Sequence, residues 1–282
     1  MEKQKEIVKI LFPADCQNEL HRKEISERKQ KIMKILALDS SGLVASVAVV
    51  ENDTLLAEYT VNYKKTHSQT LLPMLDEISN MTELDLSTID AIAVAGGPGS
   101  FTGLRIGSAT AKGLGLALEK PLISIPTTAA IAYNIWDTDK FVCPIMDARR
   151  NQVYTGVYCY TDHRLDTVWE QDTMSIEALA EGLNCLDHEV IFLGDGVAVY
   201  REKLEALLTI PFSFAPAHVN RQRAAAVGAL AEVYYKEGKI QTAEEHEPEY
   251  LRKSQAERER AERESVKHAD VVKKQENGEK SE

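Results

Sequence analysis

The residues that could do chemistry begin with Gly96-Gly97-Pro98-Gly99-Ser100-Phe101-Thr102-Gly103-Leu104-Arg105. The glycines allow positive φ and close approach of backbone. Ser100 or Thr102 can cap a following helix, and the free N–H groups of a helix N-terminus attract anions. The stretch therefore reads either as a phosphate site or as no more than a tight strand-to-helix turn. It is not a P-loop, because no Gly-Lys-Ser/Thr follows, and its glycine spacing is not that of a dinucleotide fingerprint. Two aspartates, Asp39 and Asp147, each close a strand before a turn. Asp39 can cap its own turn with Ser40 and Ser41. Asp147 is followed by Ala148-Arg149-Arg150, whose guanidinium groups can take an anion. Gly194-Asp195-Gly196 is a further glycine turn and weak evidence alone. Cys16, Cys143, Cys159 and Cys185 are scattered, and no Cys or His pair has metal-site spacing. His67 reads as a helix-entry side chain. No metal is expected.

Elements must hold these residues in place. The apolar run 89–95 is bounded by turn residues and reads as a buried strand. A helix follows over about 100–118, then a strand at 121–125. Upstream, strands are expected at 34–39, 43–51 and 54–62, with an Asn52-Asp53 hairpin and a helix over 68–81. A helix at about 127–136 leads into a second half with strands at 141–146, 152–160 and 167–170. A helix at 176–183, a strand at 190–193 and helices at 197–208 and 221–236 complete it. Three strands, helix, strand, helix thus occurs twice, as a duplicated architecture rather than a sequence repeat.

Composition narrows the function classes. The chain has 282 residues, 44% of them hydrophobic, and a net charge of −11. An acidic chain grips a nucleic-acid backbone poorly by itself, so any work on nucleic acid needs another chain to supply basic surface. No apolar run of about 18 residues would span a bilayer, and no secretory signal pattern opens the sequence. The expected setting is reducing and cytoplasmic. Residues 1–32 are charged and aperiodic apart from Ile7–Pro13, and residues 255–282 are a charged tail, disordered or a lone helix. Both are expected to be dispensable for folding and partner binding. Between them lie an N-terminal lobe (33–125) and a C-terminal lobe (126–254).

One helix carries an unusual row. Gly103, Gly107, Ala111 and Gly115 recur every four residues and share a face. Interior glycines cost about 1 kcal/mol each against alanine, so the row should allow a close contact, either with a partner helix or with the chain's own sheet. The 68–81 helix carries Leu71, Leu72, Met74, Leu75, Ile78 and Met81, which spread beyond one inward stripe. Leu71, Met74, Leu75, Ile78, Gly103, Gly107, Ala111 and Gly115 are accordingly the expected partner interface.

Two lobes of β-β-β-α-β-α, each opening on strand, Asp and turn, resemble the duplicated actin/Hsp70/sugar-kinase-like (RNase H-like) α/β fold. Ile35-Leu36-Ala37-Leu38-Asp39-Ser40-Ser41, Thr66-His67-Ser68-Gln69-Thr70-Leu71-Leu72-Pro73, Gly97 to Gly107, Asp147-Ala148-Arg149-Arg150 and Pro248-Glu249-Tyr250-Leu251-Arg252 together resemble the TsaB (YeaZ) family over about residues 33–255. The resemblance implies a scaffold or activator subunit, not an enzyme by itself. It would pair with a TsaD-like catalytic subunit that installs a threonylcarbamoyl group on the tRNA adenosine beside the anticodon. It further implies a TsaE-like ATPase in the assembly, tRNA bound only through the complex, a homodimer that competes for the same helices, and no membrane. TsaD-like relatives carry a His-x-x-x-His metal pair where this chain reads Ile125-Pro126-Thr127-Thr128-Ala129-Ala130-Ile131. Related second lobes place glycines after the Asp where Ala148, Arg149 and Arg150 stand, and they contact adenosine near Gly194 and Gly196. Asp39, Gly97, Gly99, Arg149, Gly194 and Gly196 are therefore expected as a vestigial nucleotide or anion site. No cofactor is expected on this chain alone, and ATP or ADP would sit in the assembled complex. The alternative is an ATP-dependent kinase or ATPase of the same fold.

Overall fold

The computed structural model describes residues 32–63 and 67–252. The expected N-terminal extension, apart from Ile32, and the charged tail lie outside the described residues, as does Thr66. Both lobes fall within a single unit, Lys34–Glu282.

The first sheet contains β1 (Lys34–Asp39), β2 (Val44–Glu51), β3 (Thr54–Asn62), β4 (Ala91–Gly97) and β5 (Leu122–Pro126), in the order β3-β2-β1-β4-β5. The second contains β6 (Phe141–Asp147), β7 (Gln152–Thr161), β8 (Arg164–Ser175), β9 (Val190–Leu193) and β10 (Phe212–Phe214), in the order β10-β9-β6-β7-β8. Read from β8, the second order repeats the first, strand for strand. In each sheet the first three strands are antiparallel neighbours and the fourth and fifth are parallel additions. This duplicated topology is the actin/Hsp70/sugar-kinase-like fold. The fifth strand of the second lobe, β10, has no counterpart among the expected elements; three residues are too few for a period to show.

The helices are α1 (Leu71–Thr82), α2 (Phe101–Leu118), α3 (Thr127–Ala132), α4 (Ile176–Leu186), α5 (Val197–Leu207) and α6 (Ala224–Lys236). A 3-10 turn at His67–Gln69 precedes α1 and shortens the expected helix. Ser100 caps α2 by accepting from the Gly103 N–H, and Ser175 caps α4 from Ala178. The Asn52-Asp53 turn has φ of 47° and 62°, the left-handed pair that a tight hairpin between right-twisted strands requires.

Two expectations are corrected by the packing. First, α6 is not part of a C-terminal lobe: it lies on β1 and β2 of the first sheet. Gly228 admits Val50 and Ala37 against its backbone, and Arg223 pairs with Glu58 of β3. Residues beyond α6 also return to the first lobe, where Gln241 bridges to Leu122. The boundary at 125/126 therefore separates the sheets but not the layers that cover them. Second, the small row of α2 faces the chain's own strands. A Cβ on Gly103 would strike the Ser40 carbonyl, one on Gly107 the Ser40 hydroxyl, and one on Gly115 the Leu122 side chain. Ala111 is fully buried. Leu71, Met74, Leu75 and Ile78 are buried in the same core with Leu36, Leu38, Val47 and Val94. These eight residues hold the lobe together and are not a surface. Each buried leucine contributes about 1.5–3 kcal/mol.

Among the described residues, no helix is long and apolar enough to cross a membrane.

Candidate functional site

A cleft of about 620 Å³ opens between the two sheets. One wall is Ser41, Gly42, His67 and the start of α2; the other is the Asp147–Arg150 turn with Asp195. Glu249, Tyr250, Leu251 and Arg252 close one side. Its size falls within the usual range for small-molecule sites, about 300–1,000 Å³.

The first turn of the cleft is built from Asp39. Asp39 Oδ1 accepts from the Ser41 N–H at 2.9 Å and from the Ser41 hydroxyl at 2.7 Å. Ser40 Oγ donates to the Gly103 carbonyl at 2.8 Å, tying the turn to α2. Asp39 is fully buried, and Oδ2 has no partner among the described residues. Burial raises its carboxyl to about 6, opposed by the two Ser41 hydrogen bonds and by His67, with Asp195 across the cleft adding repulsion. The geometry is that of a strand-end aspartate capping its own turn.

The glycine stretch holds the chain against itself. The Ser100 N–H, at the N-terminus of α2, donates to the Ser41 carbonyl at 2.7 Å. A Cβ on Gly99 would run into that carbonyl, and one on Gly97 into the Glu249 carbonyl. Gly97 has φ of 130°, open to glycine and costly for other residues. The Glu249 N–H returns a 2.7 Å bond to Gly96. Of the expected anion site, Gly99 and Arg149 line the cleft and Gly97 does not. Ser40, Ser41 and Glu249 pack closely on the turn that reads as a phosphate loop.

The second turn differs from the first in kind. Arg149, Arg150 and Asn151 take φ of 66°, 56° and 61°, three successive left-handed residues without a glycine. Asp147 Oδ1 accepts from the Arg149 N–H at 2.8 Å, and its Oδ2 lies 3.4 Å from the exposed Arg149 guanidinium. Asp195 accepts from the Asp147 N–H at 3.4 Å, and its carboxyl is raised chiefly by burial. Gly194 (φ 100°) and Gly196 press on the Ile145 carbonyl, to which the Gly196 N–H donates at 3.0 Å. They too serve packing, and neither lines the cleft.

The place of a His-x-x-x-His pair is α3 and the residues before it. Thr127 Oγ1 accepts from the Gly97 N–H at 3.2 Å. Thr128 Oγ1 lies 2.7 Å from the Tyr158 hydroxyl and 2.9 Å from Gln171. The remaining side chains there are buried Ala and Ile and the half-buried Pro126. This donor set does not fit a divalent metal, and the described residues hold no cluster of three His, Cys, Asp or Glu that would.

The strap at 241–252 carries the residues that sequence reasoning left without a role. Tyr250 packs on Phe101 with ring centroids 4.7 Å apart. Glu249 takes a 2.7 Å bond from Gln171 of β8, and Arg252 donates to the Ala148 carbonyl. The motif Pro248–Arg252 was visible in the sequence, but its position over the cleft depends on contacts more than 75 residues distant along the chain.

A family model described as "TsaD: tRNA N6-adenosine threonylcarbamoyltransferase" matches residues 54–260. The "tRNA threonylcarbamoyladenosine biosynthesis protein TsaB" of Bacillus subtilis (strain 168) is 32% identical over 225 residues, covering 80% of this chain and 96% of that relative. The protein of the same name from Escherichia coli (strain K12) is 30% identical over 232 residues, covering 79% and 96%. The solved structure "YeaZ from Pseudomonas aeruginosa" is similar with a TM-score of 0.68 and 28% identity, covering 78% of this chain and 100% of that one.

Proposed function

Since this chain belongs to the TsaB (YeaZ) family, we propose that it acts in the biosynthesis of threonylcarbamoyladenosine in tRNA, as a non-catalytic subunit paired with a TsaD-type transferase. The observation that carries the non-catalytic half of the reading is the first turn of the cleft. The Ser100 N–H is spent on the Ser41 carbonyl, and Asp39 is buried with Oδ1 on Ser41. A phosphate and its metal would need those groups free. The net charge of −11 supports leaving tRNA contacts to other subunits; in this reading ATP or ADP and a TsaE-type ATPase belong to the assembled complex. In this reading the chain works in the cytoplasm.

The partner surface in this reading is the outward side of α1 and α2. Leu72 (54% exposed) and Met81 (78%) stand on α1, and Leu116 (58%) on α2. Ala109 and Gly113 are exposed beside them, and a Cβ on Gly113 would meet open space. A helix from the TsaD-type subunit would lie along that row.

The test is reconstitution. Transfer of the threonylcarbamoyl group to tRNA is measured with the TsaD-type subunit alone, with this chain alone and with both. Product is expected only where the transferase is present, and at a much higher rate with both chains. Product from this chain alone, or a transferase that neither binds it nor responds to it, would overturn the reading.

A further inference from the structure

The strap and α2 run side by side in opposite directions. A Cβ on Gly115, near the end of α2, would lie 3.5 Å from Ala243 of the strap. One turn earlier, the Lys112 ammonium donates to the Glu244 carbonyl at 3.3 Å and to the His246 carbonyl at 2.9 Å. At the start of the helix Phe101 packs on Tyr250, and the Arg105 guanidinium lies over the same Phe101 ring, 4.7 Å from its centre. The far end of the strap reaches the second lobe, where Gln171 donates to the Glu249 carboxylate and Arg252 to the Ala148 carbonyl. The helix residues that hold the strap lie on the outward stripe of α2. Arg105, Ala109, Lys112 and Leu116 recur at the three- and four-residue spacing of one face; Lys112 is half-buried and the other three are exposed. A groove of about 430 Å³ separates the end of α2 from the strap, with the exposed Leu116 and Ile240 among its walls.

The Lys112 bond to Glu244 is exposed and the one to His246 half-buried. Water therefore competes for the ammonium and the carbonyls alike, and the net worth of each bond is small. A protein laid along the stripe excludes that water, and the bonds strengthen. Lifting the strap beneath such a cover would leave an ammonium and two carbonyls desolvated and unpaired, which is costly. A covered stripe thus favours the seated strap over the released one. We propose that the surface for the TsaD-type transferase continues from α2 across this groove onto the strap, and that docking there clamps the strap over the cleft. The proposal rests on the assignment of α1 and α2 to the transferase. It adds a consequence of docking for the cleft, carried chiefly by Lys112, which stands on the docking stripe and holds the strap at the same time.

The experiment is hydrogen exchange on the full chain, free and saturated with the transferase. The Glu249 N–H, bonded to the Gly96 carbonyl at 2.7 Å, reports seating of the strap at a point outside the groove. Its exchange is expected to slow at least about fivefold on docking. Lys112→Met keeps the apolar stem on the stripe and removes the donor. In the free variant the Glu249 amide should exchange about threefold faster or more. The variant should still bind the transferase by calorimetry, but saturation should slow that amide by about twofold or less. Melting curves confirm that it folds. Wild-type exchange at Glu249 that does not respond to bound transferase, or that slows equally in Lys112→Met, would overturn the clamp while leaving the pairing intact. A transferase that does not bind the wild type would overturn the pairing, and the clamp with it.

Discussion

Gly97 lies directly beneath Glu249. The Gly97 backbone, at φ of 130°, leaves no room for a Cβ beside the Glu249 carbonyl, and the Glu249 N–H donates to the neighbouring Gly96 carbonyl at 2.7 Å. A glycine stretch that reads as an anion cradle is here the seat of a strap that joins the lobes.

That relationship predicts the effect of Gly97→Ala. The new methyl group faces both a disfavoured φ and a backbone oxygen. The combined cost should be about 2–4 kcal/mol, or roughly 5–10 °C in Tm for a chain of this size. Hydrogen exchange should quicken across residues 241–252 before it does in the sheets. A melting point within a degree of wild type, with an unchanged exchange pattern, would show that the strap is not seated as described.

The faces of α1 and α2 predict two classes of variant. Met74→Asp and Ala111→Trp alter buried positions and should destabilise the lobe, by about 2–5 kcal/mol for the buried charge and about 1–3 kcal/mol or more for the overpacked site. Met81→Asp and Leu116→Asp change exposed positions and should leave Tm nearly unchanged while weakening calorimetric binding of the TsaD-type subunit at least about tenfold. Normal folding of the first pair would show that those positions are not core, and unchanged affinity in the second would move the interface away from these helices.

Much of the architecture was legible before any coordinates. Strands such as 34–39 and 89–95 declare themselves because they are buried on both faces and bounded by turn residues. The repeated strand–Asp–turn announces the duplication. What the sequence could not settle was the direction in which small residues point. Gly103 and Gly107 leave a bare helix face whether the neighbour is Ser40 or another protein, and only the long-range packing of β1 on α2 decides it. For the same reason Gly194 and Gly196 read as ligand glycines until Ile145 is placed against them. The return of α6 and the strap to the first lobe left no local trace either, since Arg223 and Glu58 are 165 residues apart.

The donor set at α3 and the occupied first turn predict the behaviour of the isolated protein toward metal and ATP. Elemental analysis of the purified full chain should find no stoichiometric divalent metal. Phosphate release from ATP should stay at background, and Asp39→Ala should leave it there. Robust turnover that disappears on Asp39→Ala would favour the kinase or ATPase alternative.

Asp39 makes a prediction about pH. Its carboxyl is raised from 3.8 to about 6, chiefly by burial, so the folded state holds the proton more tightly than the unfolded chain does. The contribution to stability is therefore fully present below about pH 3.8 and is lost as pH rises through about 6. The size of the rise corresponds to roughly 3 kcal/mol, at about 1.36 kcal/mol per pH unit. Asp195 and His67 both act on Asp39 electrostatically, so the wild-type curve alone cannot isolate it. Asp39→Asn can. Its carbonyl oxygen can keep the bonds from the Ser41 N–H and hydroxyl, and it removes the charge. The amide nitrogen takes the place of an oxygen that already lacks a partner, which cancels part of the gain. The variant should be more stable than wild type by on the order of 1–2 kcal/mol at pH 8. The advantage should shrink between pH 6 and pH 4 and vanish or reverse below that. Denaturant melts of both proteins at several pH values give the difference curve directly, and two curves that run parallel from pH 4 to pH 8 would show that Asp39 does not titrate in the folded protein in this range.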